Sequence, residues 1–292
     1  MAVGLFGRAV WSQPLGLAGV AGSALWCMAQ AAIAQPVTFA PHRAVYDVAL
    51  GRSAPGSGVN EMTGRLVYEL KGGGCEDYAQ SMRFVTQSSA ADGTQQINDM
   101  RTSSSEEIGG QRLAFRSAQY NGDQIGDVTE GKAGRRGAGE VAIEISKPEA
   151  KALSLPSSTY FPIQHSIAML RGAMAGKVRF EADVYDGSEK GDKVSSTVTV
   201  IGKGRVADAA VLPAGVPNID RLKALRYWPI STGYYEKGKA LEKKDALPNY
   251  EMAAHFYENG VSTKLVMDYG DFSLKGELKE LTFLDAPVCA GK

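Results

Sequence analysis

The chain has 292 residues, of which 44% are hydrophobic, and it carries 32 basic and 32 acidic residues. This length allows one large β domain or two smaller domains. The balanced charge excludes the strong basic field by which proteins bind nucleic acid or anionic membranes. The 34 glycines and 12 prolines indicate the many tight turns of a strand-rich chain.

The first 34 residues are typical of a secretory signal peptide. Arg8 is their single charged residue, and the uncharged run that follows ends in a small–x–small cleavage pattern at Ala32 and Ala34. We therefore expect signal cleavage after residue 34 and a single periplasmic domain at 35–292, with no transmembrane segment left. An uncleaved membrane anchor is the alternative, and the polar residues and the proline that interrupt the run weaken it.

Signal cleavage changes the cysteine count. The chain has three cysteines, and Cys27 leaves with the signal peptide, so that Cys75 and Cys289 remain. In an oxidising compartment two cysteines are most simply a disulfide, and the alternative is a pair of buried free thiols. Chain-entropy theory gives such a long-range bridge at most about 5 kcal/mol of stabilisation.

The mature chain opens with alternating apolar and polar residues, which predict a β-strand. Ala44, Tyr46 and Val48 share one face of this strand, and Arg43 and Asp47 lie on the other. The same alternation predicts further strands at 64–70, 75–84, 95–107, 112–120, 124–130 and 141–145. The glycine-rich, basic stretch 131–139 is predicted to be a loop.

One segment changes period and predicts a helix that begins at Pro162. Ser158 and Thr159 are the expected caps. The apolar face of the helix has spacings of four, three and four, and its residues form a candidate apolar groove or lid: Ile163, Ile167, Leu170 and Met174.

Strand alternation then resumes and recurs up to residue 283, with a proline- and glycine-containing loop predicted at 212–220. In the last predicted strand the apolar residues change from even-numbered positions, such as Leu278, to odd-numbered positions, such as Leu281. This change of phase predicts a bulge or bend. The whole is predicted to be mostly β, a single large antiparallel sheet of about 12–14 strands with one principal α-helix, and so many strands have to curl or close.

No residue constellation specifies a reaction. The serine nucleophile motif Gly-x-Ser-x-Gly is absent. Glu106, Glu107 and Asp99 are candidate glycosidase carboxylates, although charged outward positions on strands are usually solvated. No cofactor or metal site is predicted, because none of the three histidines has a partner at ligand spacing: His42, His165 and His255.

Two further features concern binding. His42, Arg43 and Asp47 lie close together on the first strand and form a candidate polar patch. The inward-facing aromatic residues fit a core, but in a curled sheet part of the set would line an apolar groove, and the sequence leaves both readings open for Tyr46, Tyr68, Phe84, Phe115, Phe180, Trp228 and Phe256.

Several segments together resemble the EipB-type cell envelope integrity proteins of Gram-negative bacteria. They cover nearly all of the mature chain and are PHRAVYD at 41–47, GRLVYE at 64–69, GCEDY at 74–78, RFVT at 83–86, VYDG at 184–187, Ile201-Gly202 and Cys289. The resemblance implies a periplasmic protein whose antiparallel sheet is overbent into a spiral, open and barrel-like. It also implies a disulfide, and Cys75 and Cys289 match that pair by position.

The family role is maintenance of the outer envelope, with no established catalytic activity. The leading hypothesis is therefore a non-enzymatic periplasmic protein that binds an envelope component, either a protein or a lipid or lipoprotein. Because the spiral is similar to periplasmic lipoprotein carriers, the alternative is a carrier of lipid or lipoprotein acyl chains on the concave sheet face. A hydrolase is the third hypothesis, and the oligomeric state stays open.

Overall fold

Strands dominate the computed structural model, which describes residues 37–90, 92–137, 139–237 and 246–289. The predicted signal peptide lies outside the described residues. The described residues belong to one compact unit, Val37–Lys292. The strands are β1 His42–Ser53, β2 Glu61–Gly73, β3 Glu76–Ser89, β4 Gln95–Glu106, β5 Arg112–Asn121, β6 Gln124–Arg136, β7 Glu140–Lys147, β8 Lys151–Pro156, β9 Arg179–Val184, β10 Ser195–Ile201, β11 Arg205–Val206, β12 Arg226–Glu236, β13 Tyr250–Tyr257, β14 Ser262–Asp268 and β15 Phe272–Phe283.

All fifteen strands form one sheet in the order β8-β7-β6-β5-β4-β3-β2-β1-β15-β14-β13-β12-β10-β9, with β11 paired to β12 beside this path. Each pairing is antiparallel, and β1 lies between β2 and β15. The two end strands, β8 and β9, do not pair with each other, so the sheet is open rather than a closed barrel. The predicted single antiparallel sheet is confirmed, with slightly more strands than the expected 12–14.

The predicted glycine-rich loop at 131–139 is wrong. Strand β6 continues through most of it to Arg136 and pairs with both β5 and β7. A Cβ atom on Gly131 would lie 2.6 Å from the Phe115 ring and 2.7 Å from the Glu144 carbonyl oxygen. Glycine at this position therefore permits close packing inside the sheet rather than a turn.

The predicted bulge in the last strand is confirmed. Val45 pairs with Glu280 and Tyr46 pairs with Leu278, so β15 contains one extra residue between these two pairs. The extra residue changes the parity, and both Leu278 and Leu281 are buried. The bulge thus keeps the apolar residues of β15 on the core side.

The helix α1, Pro162–Met174, packs against the face of the sheet that also carries Ala44 and Leu66, which we call the concave face. The buried apolar side chains of α1 belong to the larger of the two hydrophobic clusters among the described residues. The smaller cluster is built mainly on β5–β7 and includes Phe161 and Tyr185. A short 3-10 helix, Ile219–Leu222, adds the buried Leu222 to the larger cluster.

The predicted serine or threonine cap of α1 is wrong. Phe161 is the N-cap residue and makes no side-chain capping bond. Instead, the Glu106 carboxylate at the end of β4 accepts hydrogen bonds from the backbone N–H groups of Ile163 and Gln164, both at 2.8 Å. A residue far away in sequence satisfies the first helical N–H groups and anchors the helix to the sheet.

Cys75 and Cys289 form the predicted disulfide, which spans 214 residues of sequence. Cys75 lies in the turn between β2 and β3, and Cys289 lies beyond the end of β15. A Cβ atom on Gly74 would be 3.5 Å from the Cys289 sulfur. The bridge therefore holds the C-terminal segment against the β2–β3 turn.

Candidate functional site

The concave face contains an apolar cavity of about 510 Å³. This volume is within the range of ~300–1,000 Å³ that is usual for small-molecule sites. The lining comes from β1–β4, β13, β14 and the turns beside them, and tyrosine, methionine and phenylalanine supply ten of its fifteen residues. None of the lining residues is Asp, Glu, Lys or Arg.

The exposure of the lining changes along the strands. His42 and Tyr46, at what we call the closed end, are 1% and 3% exposed, whereas Tyr269 at the open end is 38% exposed. On β13 the lining extends from Phe256, beside the closed end, to Tyr250, beside the open end. At ~3.3 Å per strand residue these six steps correspond to a cavity about 20 Å long.

Phe39, which precedes β1, blocks the closed end. Its ring packs 6.3 Å from the Tyr78 ring and 5.8 Å from the Phe256 ring, and its backbone N–H donates to the Tyr78 hydroxyl at 3.2 Å. Gly260 has a φ of +87°, and a Cβ atom there would lie 2.7 Å from the Phe39 ring. Glycine therefore lets the β13–β14 turn approach Phe39 closely.

The two tyrosine hydroxyls in the deeper part of the cavity already have protein acceptors. Tyr46 donates to the Ser262 carbonyl at 2.8 Å, and Tyr68 donates to Gln80 Oε1 at 3.3 Å. Burial raises the pKa of both Tyr46 and Tyr68 well above the usual range, so both stay neutral. The wall thus presents ring faces, thioethers and aliphatic groups, which suit an apolar chain.

The structure separates the three residues of the predicted polar patch. His42 is buried in the cavity wall, whereas Arg43 and Asp47 lie on the opposite, convex face. There the Arg43 guanidinium is 3.5 Å from Glu280, and Asp47 is 2.8 Å from Arg65. Exposed ion pairs of this kind contribute about 1 kcal/mol or less to stability, so their main effect is to balance charge on the surface.

The predicted lid residues lie beside the cavity and do not line it. Ile163, Ile167 and Leu170 are buried in the larger hydrophobic cluster, and Met174 packs against that cluster. Both readings of the aromatic set apply in part. Phe115 and Trp228 are buried and Phe180 packs against the core, whereas four of the set line the cavity: Tyr46, Tyr68, Phe84 and Phe256.

The candidate glycosidase carboxylates have structural partners instead. Glu106 caps α1, and its burial raises its pKa to about 7 despite the two helical N–H donors. Asp99 lies on the other face of β4, where Arg101 and Arg83, each 2.7 Å away, lower its pKa to about 2. Glu107 pairs with Arg112 at 2.8 Å. Glu106 and Asp99 face opposite sides of the sheet and do not form a catalytic pair.

The three histidines are on separate elements. His165 Nε2 lies 3.0 Å from the Thr197 hydroxyl, and burial lowers the His165 pKa to about 4. The His255 ring stacks 4.7 Å from the Tyr227 ring. Within the described ranges, no group of three or more His, Cys, Asp or Glu residues is placed to hold a metal ion, and no helix has the length and apolarity to cross a membrane.

A family model described as EipB-like matches residues 33–285. The cell envelope integrity protein EipB of Brucella abortus (strain 2308) is 32% identical over 269 residues, which are 92% of this chain and 90% of that protein. The chain belongs to the EipB-like family. Its structure is also similar to the crystal structure of a beta-barrel-like protein of domain of unknown function DUF1849 from Brucella abortus, with a TM-score of 0.77 and 30% identity, over 85% of this chain and 100% of that one.

The resemblance inferred from the sequence to EipB-type proteins is therefore confirmed. Several residues of the cavity in this EipB-like chain are not among the candidates predicted from the sequence, notably Met100, Met252 and Met267. Each lies at an inward position of its strand, so the two-residue alternation of the strand could have identified it as inward-facing. Core residues show the same alternation, so the sequence alone does not separate cavity residues from core residues.

Proposed function

We propose that this protein maintains the cell envelope from the periplasm, without catalysing a reaction, by binding the apolar chain of an envelope lipid or lipoprotein. The observation that carries the proposal is the cavity, which has a charge-free lining, one closed end and one open end. The relative that is named for cell envelope integrity supports the cellular role. The signal-peptide pattern of the first 34 residues supports the compartment.

The size of the cavity favours a single chain. A volume of about 510 Å³ corresponds to roughly 17 groups of about 30 Å³, the volume share of a water molecule. A methylene group is of similar size, so the volume is on the order of one acyl chain. Each buried methylene contributes about 0.8 kcal/mol, which makes chain burial the source of affinity.

The methionines of the wall favour chains of more than one length. Met82, Met100, Met252 and Met267 all line the cavity. Methionine is unbranched and polarisable, and it adapts its shape to irregular apolar partners. The wall can therefore follow the contour of a flexible chain, as a carrier or sensor of envelope lipids requires.

Among the described residues of the cavity, no nucleophile is hydrogen-bonded to a base: His42 bonds to the Ala40 carbonyl oxygen, and burial lowers its pKa. Tyr46 and Tyr68 are neutral, and Glu106 is engaged by the N-terminus of α1. A hydrolytic site needs a positioned nucleophile or base at the substrate. Binding is consequently the activity that this arrangement supports.

Native mass spectrometry of the mature protein tests the proposal, with palmitic acid delivered from cyclodextrin. Met82→Trp places an indole in the cavity, and Val85→Trp on the other face of β3 is the matched control. The unmodified protein and Val85→Trp should take up one chain, and Met82→Trp should take up at least about tenfold less. Equal uptake by all three proteins would exclude the cavity as the site.

A second experiment addresses the envelope component itself. Crosslinking in living cells, followed by purification of this protein, should recover a lipid-bearing envelope component with the unmodified protein and less of it with Met82→Trp. Repeated recovery of no envelope component would contradict the proposed role.

A further inference from the structure

His42 combines deep burial with a hydrogen-bonding atom that the protein does not use. It is 1% exposed and lies in the wall of the closed end. Its ring centre is 5.7 Å from that of Tyr68. Polar atoms in a protein interior normally have partners. Nε2 of His42 is not one of the fully enclosed atoms that lack a partner, so it borders the cavity space, where a bound molecule can reach it.

The surroundings of His42 determine which ring nitrogen carries the proton. Nδ1 lies 2.7 Å from the carbonyl oxygen of Ala40, and a carbonyl oxygen only accepts, so Nδ1 donates. Burial lowers the His42 pKa, which keeps the ring neutral. Nε2 therefore has a free lone pair, and no hydrogen-bond donor for it is found in the part of the chain that the structure describes.

The neighbouring hydroxyls do not satisfy this lone pair. Tyr46 donates its proton to the Ser262 carbonyl, and Tyr68 donates to the Gln80 side chain. Each tyrosine hydroxyl has one proton to donate, and each is already committed. Among the described residues no donor is left for Nε2, and a molecule in the cavity is placed to supply one.

We propose that Nε2 of His42 accepts a hydrogen bond from the bound chain, so that the cavity prefers an apolar chain with a neutral O–H or N–H donor over one without. This inference rests on the proposed function, because it takes the cavity as the binding site. An anionic carboxylate or phosphate is disfavoured at the closed end, because it offers no donor and loses its hydration there. A hydroxylated chain, or an alcohol that enters with its hydroxyl first, fits the closed end.

Cetyl alcohol and its methyl ether test the inference, because they share the chain and differ in the donor. With both delivered from cyclodextrin and measured by native mass spectrometry, the unmodified protein should bind the alcohol up to about tenfold more tightly, the effect of one hydrogen bond. His42→Phe keeps an apolar ring and should bind both probes equally. Met82→Trp should bind neither well.

Nitrogen-15 NMR of the histidine-labelled, unmodified protein tests the inference even if His42→Phe does not fold. The His42 signals should report a neutral ring with the proton on Nδ1, and the Nε2 signal should shift with cetyl alcohol but not with the ether. His165 and His255 are internal references and should not respond. Equal binding of both probes without an Nε2 shift would overturn the role of His42 and leave the proposed function intact. If the unmodified protein bound neither probe and no palmitic acid, both the proposed function and the role of His42 would be overturned.

Discussion

Two adjoining parts of the concave face differ in what covers them. Helix α1 covers one part, where Ile167 and Leu170 are buried against the strands. Beside it, Tyr68 and Met82 face a cavity instead. Both parts consist of inward-facing apolar residues of one continuous sheet, and β1 contributes to both through Ala44 and Tyr46. Inward position therefore marks the apolar residues of both parts, and the position of α1 determines which of them a helix covers.

The largest effect is expected where the helix covers the sheet. Leu170 is 0% exposed, so Leu170→Ala should lower the free energy of unfolding by about 2–5 kcal/mol, measured by urea denaturation. Met174→Ala is the matched control, because Met174 is only partly buried on the same helix. A loss at Met174 as large as that at Leu170 would mean that the helix is not packed as described.

Glu106, which anchors the N-terminus of α1, makes the stability of the helix-covered part depend on pH. The folded protein holds the Glu106 proton more tightly than the unfolded chain, because burial raises its pKa from 4.5 to about 7. Stability from this group is complete below about pH 4.5 and is lost as the pH rises through about 7, a difference of about 3 kcal/mol. Urea denaturation at several pH values should show that Glu106→Gln removes this dependence of the free energy of unfolding on pH. Glu144→Gln, at an exposed position, should retain the dependence. If the free energy of unfolding of Glu106→Gln changed with pH as it does in the unmodified protein, Glu106 would not be the source of the pH dependence.

We expect the disulfide to act on the closed end of the cavity, because Cys75 lies three residues before Tyr78, whose hydroxyl accepts a hydrogen bond from the Phe39 N–H. Replacing both Cys75 and Cys289 by serine should lower the free energy of unfolding by about 2 kcal/mol, the lower end of the usual range, because the segment after β15 is mostly exposed. The fold should persist, since a domain of this size has its own core. Hydrogen exchange should accelerate at Phe39 and Tyr78 and stay unchanged in α1. Faster exchange throughout α1 would show that the bridge supports the whole sheet.

The smallest effect is expected from enlarging a side chain inside the cavity. Met82→Trp should change the free energy of unfolding by less than about 1 kcal/mol, because there is space for the ring. Ala173→Leu on the buried face of α1 should cost about 1–3 kcal/mol, because Ala173 is buried in the larger hydrophobic cluster. If denaturation experiments gave the same loss in free energy of unfolding for both variants, the cavity and the helix-covered part would not differ in packing.

Local periodicity predicted most of the architecture. Alternation located the strands, the change of period located α1 at Pro162, and the parity of Leu281 indicated the bulge in β15. The errors have long-range causes. Gly131 resembles a turn residue but packs under Phe115 from the neighbouring strand, and the cap of α1 comes from β4 instead of the preceding residues.

The candidate site was only partly predictable for the same reason. Tyr46 and Phe84 were correctly placed on the inner face, but core and cavity residues share that pattern. The hydrogen bond that orients His42 involves a main-chain carbonyl, which has no sequence signature. Which residues border the cavity depends on where α1 ends and where Phe39 closes the sheet, and both are properties of the assembled fold.

The pairing of β1 with β15 has a consequence for biogenesis. The first and last strands in the chain, β1 and β15, form the central ladder of the sheet, from His42 opposite Phe283 to Ser53 opposite Phe272. Until the last strand has been synthesised, one side of β1 lacks its neighbour, and contacts this distant in sequence form slowly. A protein truncated before β15 would expose that hydrophobic edge and aggregate. The order of its strands thus makes delivery of the complete chain a condition for folding.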